Sequence, residues 1–530
     1  MKRVAVSFLV VSLIAAMALS GTIYSSSAIA QDSPAPSSRI VAETSDAQRA
    51  IYRYCDQGLY HPTSPRLASL NTPSPTPDAL GQLPDTTTPP GPCTACEHKA
   101  ARCAACGSSG GCGSASCDDG GCNGGFSCGL GSCGDGCCEG DLCCSDGPDA
   151  WKLFDCCCLN ERQINIGGYV NFGYTANSNA PADHWNGTLG TNDRDDFQMN
   201  QLKLSIERPT NTDGCGWDIG GRIDLMYGTD ARWYESLGLE NRSNGKERWS
   251  GDRFYHGAIE QMYAEVMYNK LKTKIGKFDT ILEYEVIDPR GNFFYSHSYG
   301  FLYAAPHTQN GVLFTEPLNR CWTFAAGFTS GWDRWQDDND RLDFLGSATW
   351  TSCDQNQTVA AAISSGDEIG LTGIDANRTA YTITYTNKLT SRLTYILVHD
   401  YGVQQKGANR GMSTATWCGL NNYLLYQLSC DWWLGGRAEW FRDRNGTRVA
   451  PVGDSLNAPS GSGTNLATAG GFAGDFSEYT VGLNYKPVCN PNWVVRPEVR
   501  WDHYDGMGHP FNGNTQDNQL TFAIDTILQF

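Results

Sequence analysis

The chain has 530 residues, a formal net charge of −18 and 40% hydrophobic residues. It has no basic surplus with which to hold nucleic acid by its phosphates, so that class of partner is excluded. Past residue 30 no run of 18 apolar residues occurs, which leaves strands rather than helices as the way this composition could cross a membrane.

Residues 1–30 read as a secretory signal peptide. Lys2 and Arg3 open it, an apolar stretch follows to Leu19, and Ala28-Ile29-Ala30 offers a small-residue cleavage site. Residues 31–92 are rich in Pro, Ser and Thr and cannot bury enough apolar surface to offset ordering entropy, so a disordered linker is expected. Residues 93–158 hold 16 of the 23 cysteines among glycines. The pairs Cys93/Cys96 and Cys103/Cys106 have the spacing of zinc-knuckle halves, but zinc needs four ligands on preorganised turns. An exported chain meets oxidising conditions, which favours disulfides, within the segment or to other envelope chains. Neither reading is closed by the sequence, and no metal site or cofactor is assigned.

From residue 164 to 530 the pattern is alternation with a period of two. Ile164, Ile166, Gly168, Val170, Phe172 and Tyr174 share one face; Trp217, Ile219, Ile223, Leu225 and Tyr227 another; Trp493, Val495, Val499 and Trp501 a third. About 16 such segments follow one another, the first at 164–176 and the last at 518–530, with 14 to 18 admissible. Each is about the length a tilted membrane-crossing strand requires. Short links such as 212–215, 269–271, 319–321, 352–354 and 429–431 alternate with long polar ones at 177–195, 229–255, 281–309 and 445–471. Trp217, Trp322, Trp332, Trp350, Trp432, Trp433, Trp440, Trp493 and Trp501 fall at segment ends, where a membrane interface favours them. These features specify an all-β fold: a transmembrane antiparallel β-barrel, wide enough at this strand number to hold a water-filled lumen.

Two stretches carry a family resemblance. Leu520, Phe522, Ile524, Leu528 and the final Phe530 lie on one face, resembling the last strand of bacterial outer-membrane barrels, whose terminal Phe is read by the barrel-assembly machinery. Residues 276–287 (Gly-Lys-Phe-Asp-Thr-Ile-Leu-Glu-Tyr-Glu-Val-Ile), then His297-Ser-Tyr-Gly300 and His307-Thr-Gln-Asn-Gly311, resemble the OmpL-like outer-membrane β-barrel porin family. The resemblance spans about 164–530 and none of the Cys-rich segment. It implies a channel in the bacterial outer membrane, in contact with its lipid, passing small hydrophilic solutes or ions, with the N-terminal extension in the periplasm. It leaves a homo-oligomer open.

Charges on the polar strand faces are candidates for lining the pore: Lys203, Asp218, Arg222, Asp224, Glu265, Arg437, Glu439, Arg496, Glu498 and Arg500. Most are expected to pair across strands, and any left unpaired would set ion preference. In porins the third long loop folds inward; here it is 281–309, bearing Glu283, Glu285, Asp288 and Arg290 and unusually many aromatics (Phe293, Phe294, Tyr295, Tyr299, Phe301, Tyr303). A loop folded over the outer mouth is the alternative. Phe522, Leu528 and Phe530 are the assembly-signal candidates. Cys321 with Cys353, and Cys430 with Cys489, are candidate disulfides between neighbouring short turns, with tethering to the Cys-rich segment and free thiols as the competitors. No catalytic motif appears. His399 and Asp400 point to opposite faces of one strand, and the acidic run 333–343 lacks the Gly and terminal Glu of a calcium loop and reads as a solvated outer loop. A structural envelope protein, anchored by its barrel and cross-linked through its cysteines, is the rival from another class.

Overall fold

The computed structural model describes residues 150–154, 157–241, 248–249, 254–369, 374–449, 471–488 and 490–530. The expected signal peptide, the linker, nearly all of the Cys-rich segment and Cys489 lie outside them. A short helix, α1 (Cys157–Glu161), precedes the first strand.

Sixteen strands follow: β1 (Asn165–Asn177), β2 (Phe197–Arg208), β3 (Trp217–Gly228), β4 (His256–Tyr268), β5 (Leu271–Asp279), β6 (Thr308–Pro317), β7 (Trp322–Trp332), β8 (Asp343–Thr351), β9 (Gln357–Ile369), β10 (Asp375–Lys388), β11 (Leu393–Ala408), β12 (Ser413–Gln427), β13 (Trp432–Asp443), β14 (Gly474–Tyr485), β15 (Trp493–Gly506) and β16 (Asn518–Gln529). Every strand pairs antiparallel with its neighbours in sequence, and β1 closes on β16, giving one barrel with no free edge. Phe530 extends the closure. Its N–H donates to Gly168 O (2.8 Å) and its carbonyl accepts from Gly168 N–H (2.9 Å). Two short helices lie in the long loops, α2 (Ala231–Tyr234) and α3 (Tyr299–Tyr303).

Alternation places one apolar row outside and one polar row inside on each strand. Ile219, Ile223, Val481, Val499, Phe522, Ile524 and Leu528 are exposed on the outer face. Outward rings stack at the short-turn rim, Trp217 on Tyr268 and Trp432 on Tyr485, both with centroids 4.6 Å apart. Two expected girdle residues turn inward instead. Trp433 alternates with the outward Trp432 and packs against the buried Phe293, Phe294 and Tyr423. Trp332 is fully buried because β7 carries a bulge. Thr329 pairs with Gly311 and Trp332 with Gln309, so the extra residue reverses the alternation.

Similar bulges occur in β2 and β4. Asn200 has no partner between the pairs Asn171–Gln201 and Phe172–Met199, and Glu260 none between Asp224–Gln261 and Leu225–Ile259. Each bulge turns two successive side chains inward, which no strict alternation would do. The acidic run 333–343 is also less solvated than expected. Asp333 and Asp343 are buried, and Asp333 accepts from the N–H groups of His307 (3.0 Å) and Thr308 (2.8 Å).

Candidate functional site

The candidate site is the lumen, and its main occupant is the loop 281–309 between β5 and β6. Every residue from Asn292 to Gln309 is buried. A loop folded over the outer mouth would expose one face, so the inward alternative is the one realised.

An irregular segment has no ladder to satisfy its backbone, and any polar group buried without a partner costs about 1–3 kcal/mol. Here the barrel wall supplies the partners, and they are the charges expected to line the pore. Arg496 donates to the carbonyls of Pro289 (2.7 Å) and Asn292 (2.9 Å). Glu498 accepts from the N–H groups of Tyr295 (2.8 Å) and Ser296 (3.1 Å). Arg500 donates to His297 O (2.6 Å), and Arg437 to Ser296 O (2.7 Å). Glu439 accepts from the N–H groups of Tyr299 and Gly300, both at 2.7 Å. These five residues sit two apart on β13 and β15, so each row presents one face to the loop.

The three arginines among them are also ion-paired. Arg496 pairs with Asp525 (2.5 Å), Arg500 with Asp502 (2.7 Å), and Arg437 with both Glu478 (2.5 Å) and Glu285 of the loop (2.8 Å). Glu285 also accepts from His297 Nδ1 (2.8 Å), Ser298 N–H (3.0 Å) and the Tyr423 hydroxyl (2.8 Å). Burial pushes the Glu285 carboxyl up, but Arg437 and the His297 and Ser298 hydrogen bonds outweigh it and hold it at about 2. His297 is shifted down, chiefly by burial. Asp288 is bound by Arg290 (2.6 Å), which holds its carboxyl below the usual range despite burial.

Space for the loop comes from small wall residues. A Cβ on Gly435 would lie 2.2 Å from the Phe293 ring, and one on Gly173 would lie 2.2 Å from the Tyr295 hydroxyl oxygen. On the loop's other side, Thr188 meets the Tyr299 hydroxyl (3.3 Å), Arg448 donates to Tyr303 O (2.7 Å), and Trp417 Nε1 donates to Ala304 O (3.0 Å).

The remaining candidates form a second group on β2 to β5. Lys203 is buried between Glu260 (2.7 Å) and Asp224 (3.2 Å), and Arg222 binds Asp224 (2.9 Å). Asp218 binds Arg208 (3.0 Å) near a short turn, and Glu265 meets Lys272 (3.3 Å). Glu260 and Asn200 were missed by sequence reasoning because both sit on bulges. Asn200 receives the Tyr295 hydroxyl (2.9 Å) and donates to Asp230 (3.0 Å). Asp400, set aside with His399, faces the lumen beside Glu283. Glu478 lay on a polar face and was legible there. Among the side chains that keep measurable exposure are Arg290 (34%), Glu207 (32%), Lys272 (25%) and Arg222 (15%). Among the described residues no group of His, Cys, Asp and Glu is arranged to hold a metal ion.

On the short-turn rim, Cys321 Sγ and Cys353 Sγ stand 3.6 Å apart, nearer than the two-strand spacing of adjacent turns suggests, because they flank the directly paired ends of β7 and β8, where Thr351 N–H donates to Cys321 O (2.8 Å). Cys430 is disulfide-bonded.

A family model described as "Putative beta-barrel porin-2, OmpL-like" matches residues 163–530. No curated protein matches the chain by sequence. Among solved structures, the outer membrane channel DcaP of Acinetobacter baumannii is 12% identical, with 69% of this chain and 97% of that one covered at a TM-score of 0.42. OmpT of Vibrio cholerae in its trimer form is 12% identical over 69% and 99%, at 0.42. A mutant of the Rh. blastica porin is 15% identical over 69% and 100%, at 0.41.

Proposed function

Since this chain belongs to the OmpL-like family of outer-membrane β-barrel porins, we propose that it is a channel for passive diffusion of small hydrophilic solutes or ions. The observation that carries this reading is the loop 281–309, docked by its backbone inside a closed barrel of sixteen strands. A barrel of this size would otherwise leave a wide lumen, and an internal loop narrows it. Because Arg437, Arg496 and Arg500 are fully buried, ion preference rests instead on Arg290, Glu207, Arg222 and Lys272, which are ion-paired but partly exposed. No catalytic step belongs to this reading. Conductance of the purified barrel in a planar bilayer tests it. Discrete steps are expected, and a folded, inserted barrel that passes no current overturns it.

The short-turn rim would face the periplasm, with the N-terminal extension on that side and Phe530 presented to the assembly machinery. A second reading, a structural anchor cross-linked through cysteines, draws on the placement of Cys215, Cys321, Cys353 and Cys430 at short turns. Mass spectrometry of native envelopes under non-reducing conditions tests it; bridges to other chains are expected on this reading, and intrachain bridges alone would oppose it.

A further inference from the structure

The loop enters the lumen through an acidic knot that the cradle above does not explain. Glu283, four residues after β5 ends at Asp279, is 5% exposed, and its backbone has φ +76°. That left-handed conformation is costly for a non-glycine residue and persists only where the surroundings over-determine it. A Cβ on Gly300 would meet Asp400 Oδ2 at 2.8 Å, Glu439 Oε1 at 3.4 Å and Glu283 Oε1 at 3.7 Å, so oxygens of three carboxyl groups converge on one point. Asp400 and Glu439 are 1% and 4% exposed.

Each neighbouring group is accounted for. On β10 the Thr382 hydroxyl donates to Asp400 Oδ1 (2.7 Å). On β12 the Tyr423 hydroxyl is spent on Glu285. On β13 Arg437 is spent on Glu285 and on Glu478 of β14. Within the loop, Glu285 and His297 bind each other. Glu439 takes the N–H groups of Tyr299 and Gly300. Glu283 Oε1 is buried with no hydrogen-bond partner and converges with Asp400 Oδ2 on the same point, so two ionised carboxylates would repel there and one proton held between them would give each a partner. In accord with this, burial first, and then the charge of Asp400, push the Glu283 carboxyl well above its usual range.

We propose that Glu283, Asp400 and Glu439 form a proton-binding latch that fastens the entry of the loop to β11 and β13 and releases it as pH rises. With a proton shared between Glu283 and Asp400, the knot holds one net charge fewer and one hydrogen bond more. Removal of that proton sets the Glu283 and Asp400 anions against each other beside Gly300, and the segment 283–300 is driven off the wall. A group that binds its proton more tightly in the docked state favours docking at low pH and loses that contribution as pH rises through its raised titration point. Between the ordinary carboxyl range of the released state, about 4.3, and that raised point docking weakens roughly tenfold for each pH unit, and above it no further.

The latch governs passage only if the channel reading holds, so the test reads docking directly. Hydrogen–deuterium exchange of peptides covering 294–304 is followed in the full, refolded chain at pH 5 and pH 9, corrected for intrinsic rates. Protection at pH 5 that falls at least about tenfold by pH 9, and that stays level in Asp400→Asn, is the expected result. Equal protection at both pH values in the unaltered chain overturns the latch, and this comparison decides even if a variant fails to insert. Glu283→Gln serves as the second variant and should also flatten the profile; a profile unchanged in both variants overturns the proposal. Calcium or magnesium restoring protection at pH 9 in the unaltered chain but not in Asp400→Asn would replace the proton by a metal clasp and equally overturn it. Loss of protection with no current at any pH would keep the latch and sink the channel reading instead.

Discussion

Replacing Arg437 by Ala should undock the inward loop while leaving the barrel closed. Arg437 is fully buried and is the one side chain that binds the loop backbone at Ser296, the loop carboxylate Glu285 and the wall carboxylate Glu478 together. Deleting one partner of a buried pair costs about 3–5 kcal/mol, because the charge left behind is uncompensated. Two features place Arg437→Ala near the lower end. Glu285 keeps His297, Ser298 and Tyr423 as donors, and Glu478 keeps the Thr480 hydroxyl (2.8 Å). About 3 kcal/mol corresponds to roughly a hundredfold shift in the docked-to-undocked ratio. Single-channel recording reads that shift as larger steps and added open-channel noise. A double-mutant cycle with Glu285→Gln should show the two losses to be less than additive, since both break one contact. Unchanged conductance and noise in correctly inserted Arg437→Ala would refute the reasoning that this arginine fastens the loop.

Excising residues 288–305 should raise conductance without opening the barrel, measured by bilayer recording beside heat-modifiable mobility; unaltered conductance would mean that the loop does not narrow the path. Deleting Phe530 removes both hydrogen bonds to Gly168 at the β1–β16 seam and should sharply lower the amount of inserted protein, read by membrane fractionation. Cys321 and Cys353 should exchange with a small-molecule disulfide, their thiols giving up two hydrogens to form one bond while the reagent is reduced. Non-reducing peptide mapping would show that cross-link, and both residues remaining alkylatable afterwards would exclude it. Glu285, held at about 2 in the docked loop against about 4.3 when free, favours docking above pH 4.3; that contribution should fade as pH falls from there toward 2, followed by exchange of the same loop peptides.

Much of the architecture was legible because a membrane barrel writes its period into every strand. All sixteen expected segments form strands, and the alternation of apolar and polar residues matches their outer and inner faces. Where the period failed, a bulge was the reason: Trp332 turned inward, and Asn200 and Glu260 were added to the inner surface. One extra residue leaves no mark on composition or spacing, so these positions could not be read beforehand. The inward loop was legible from its aromatics, which need a buried place. Its means of attachment was not, since pore-lining charges on β13 and β15, most expected only to pair across strands, also serve a backbone that has no ladder of its own. Asp400 was passed over because it was judged as a partner of His399 on its own strand, whereas its neighbour is Glu283, more than a hundred residues away.

The central claim is that a loop-narrowed lumen conducts, and bilayer recording of the purified barrel beside its 288–305 deletion tests it most directly. The account predicts discrete steps from the intact chain and larger ones from the deletion. Silence from both, with heat-modifiable mobility showing each barrel folded and inserted, would contradict it.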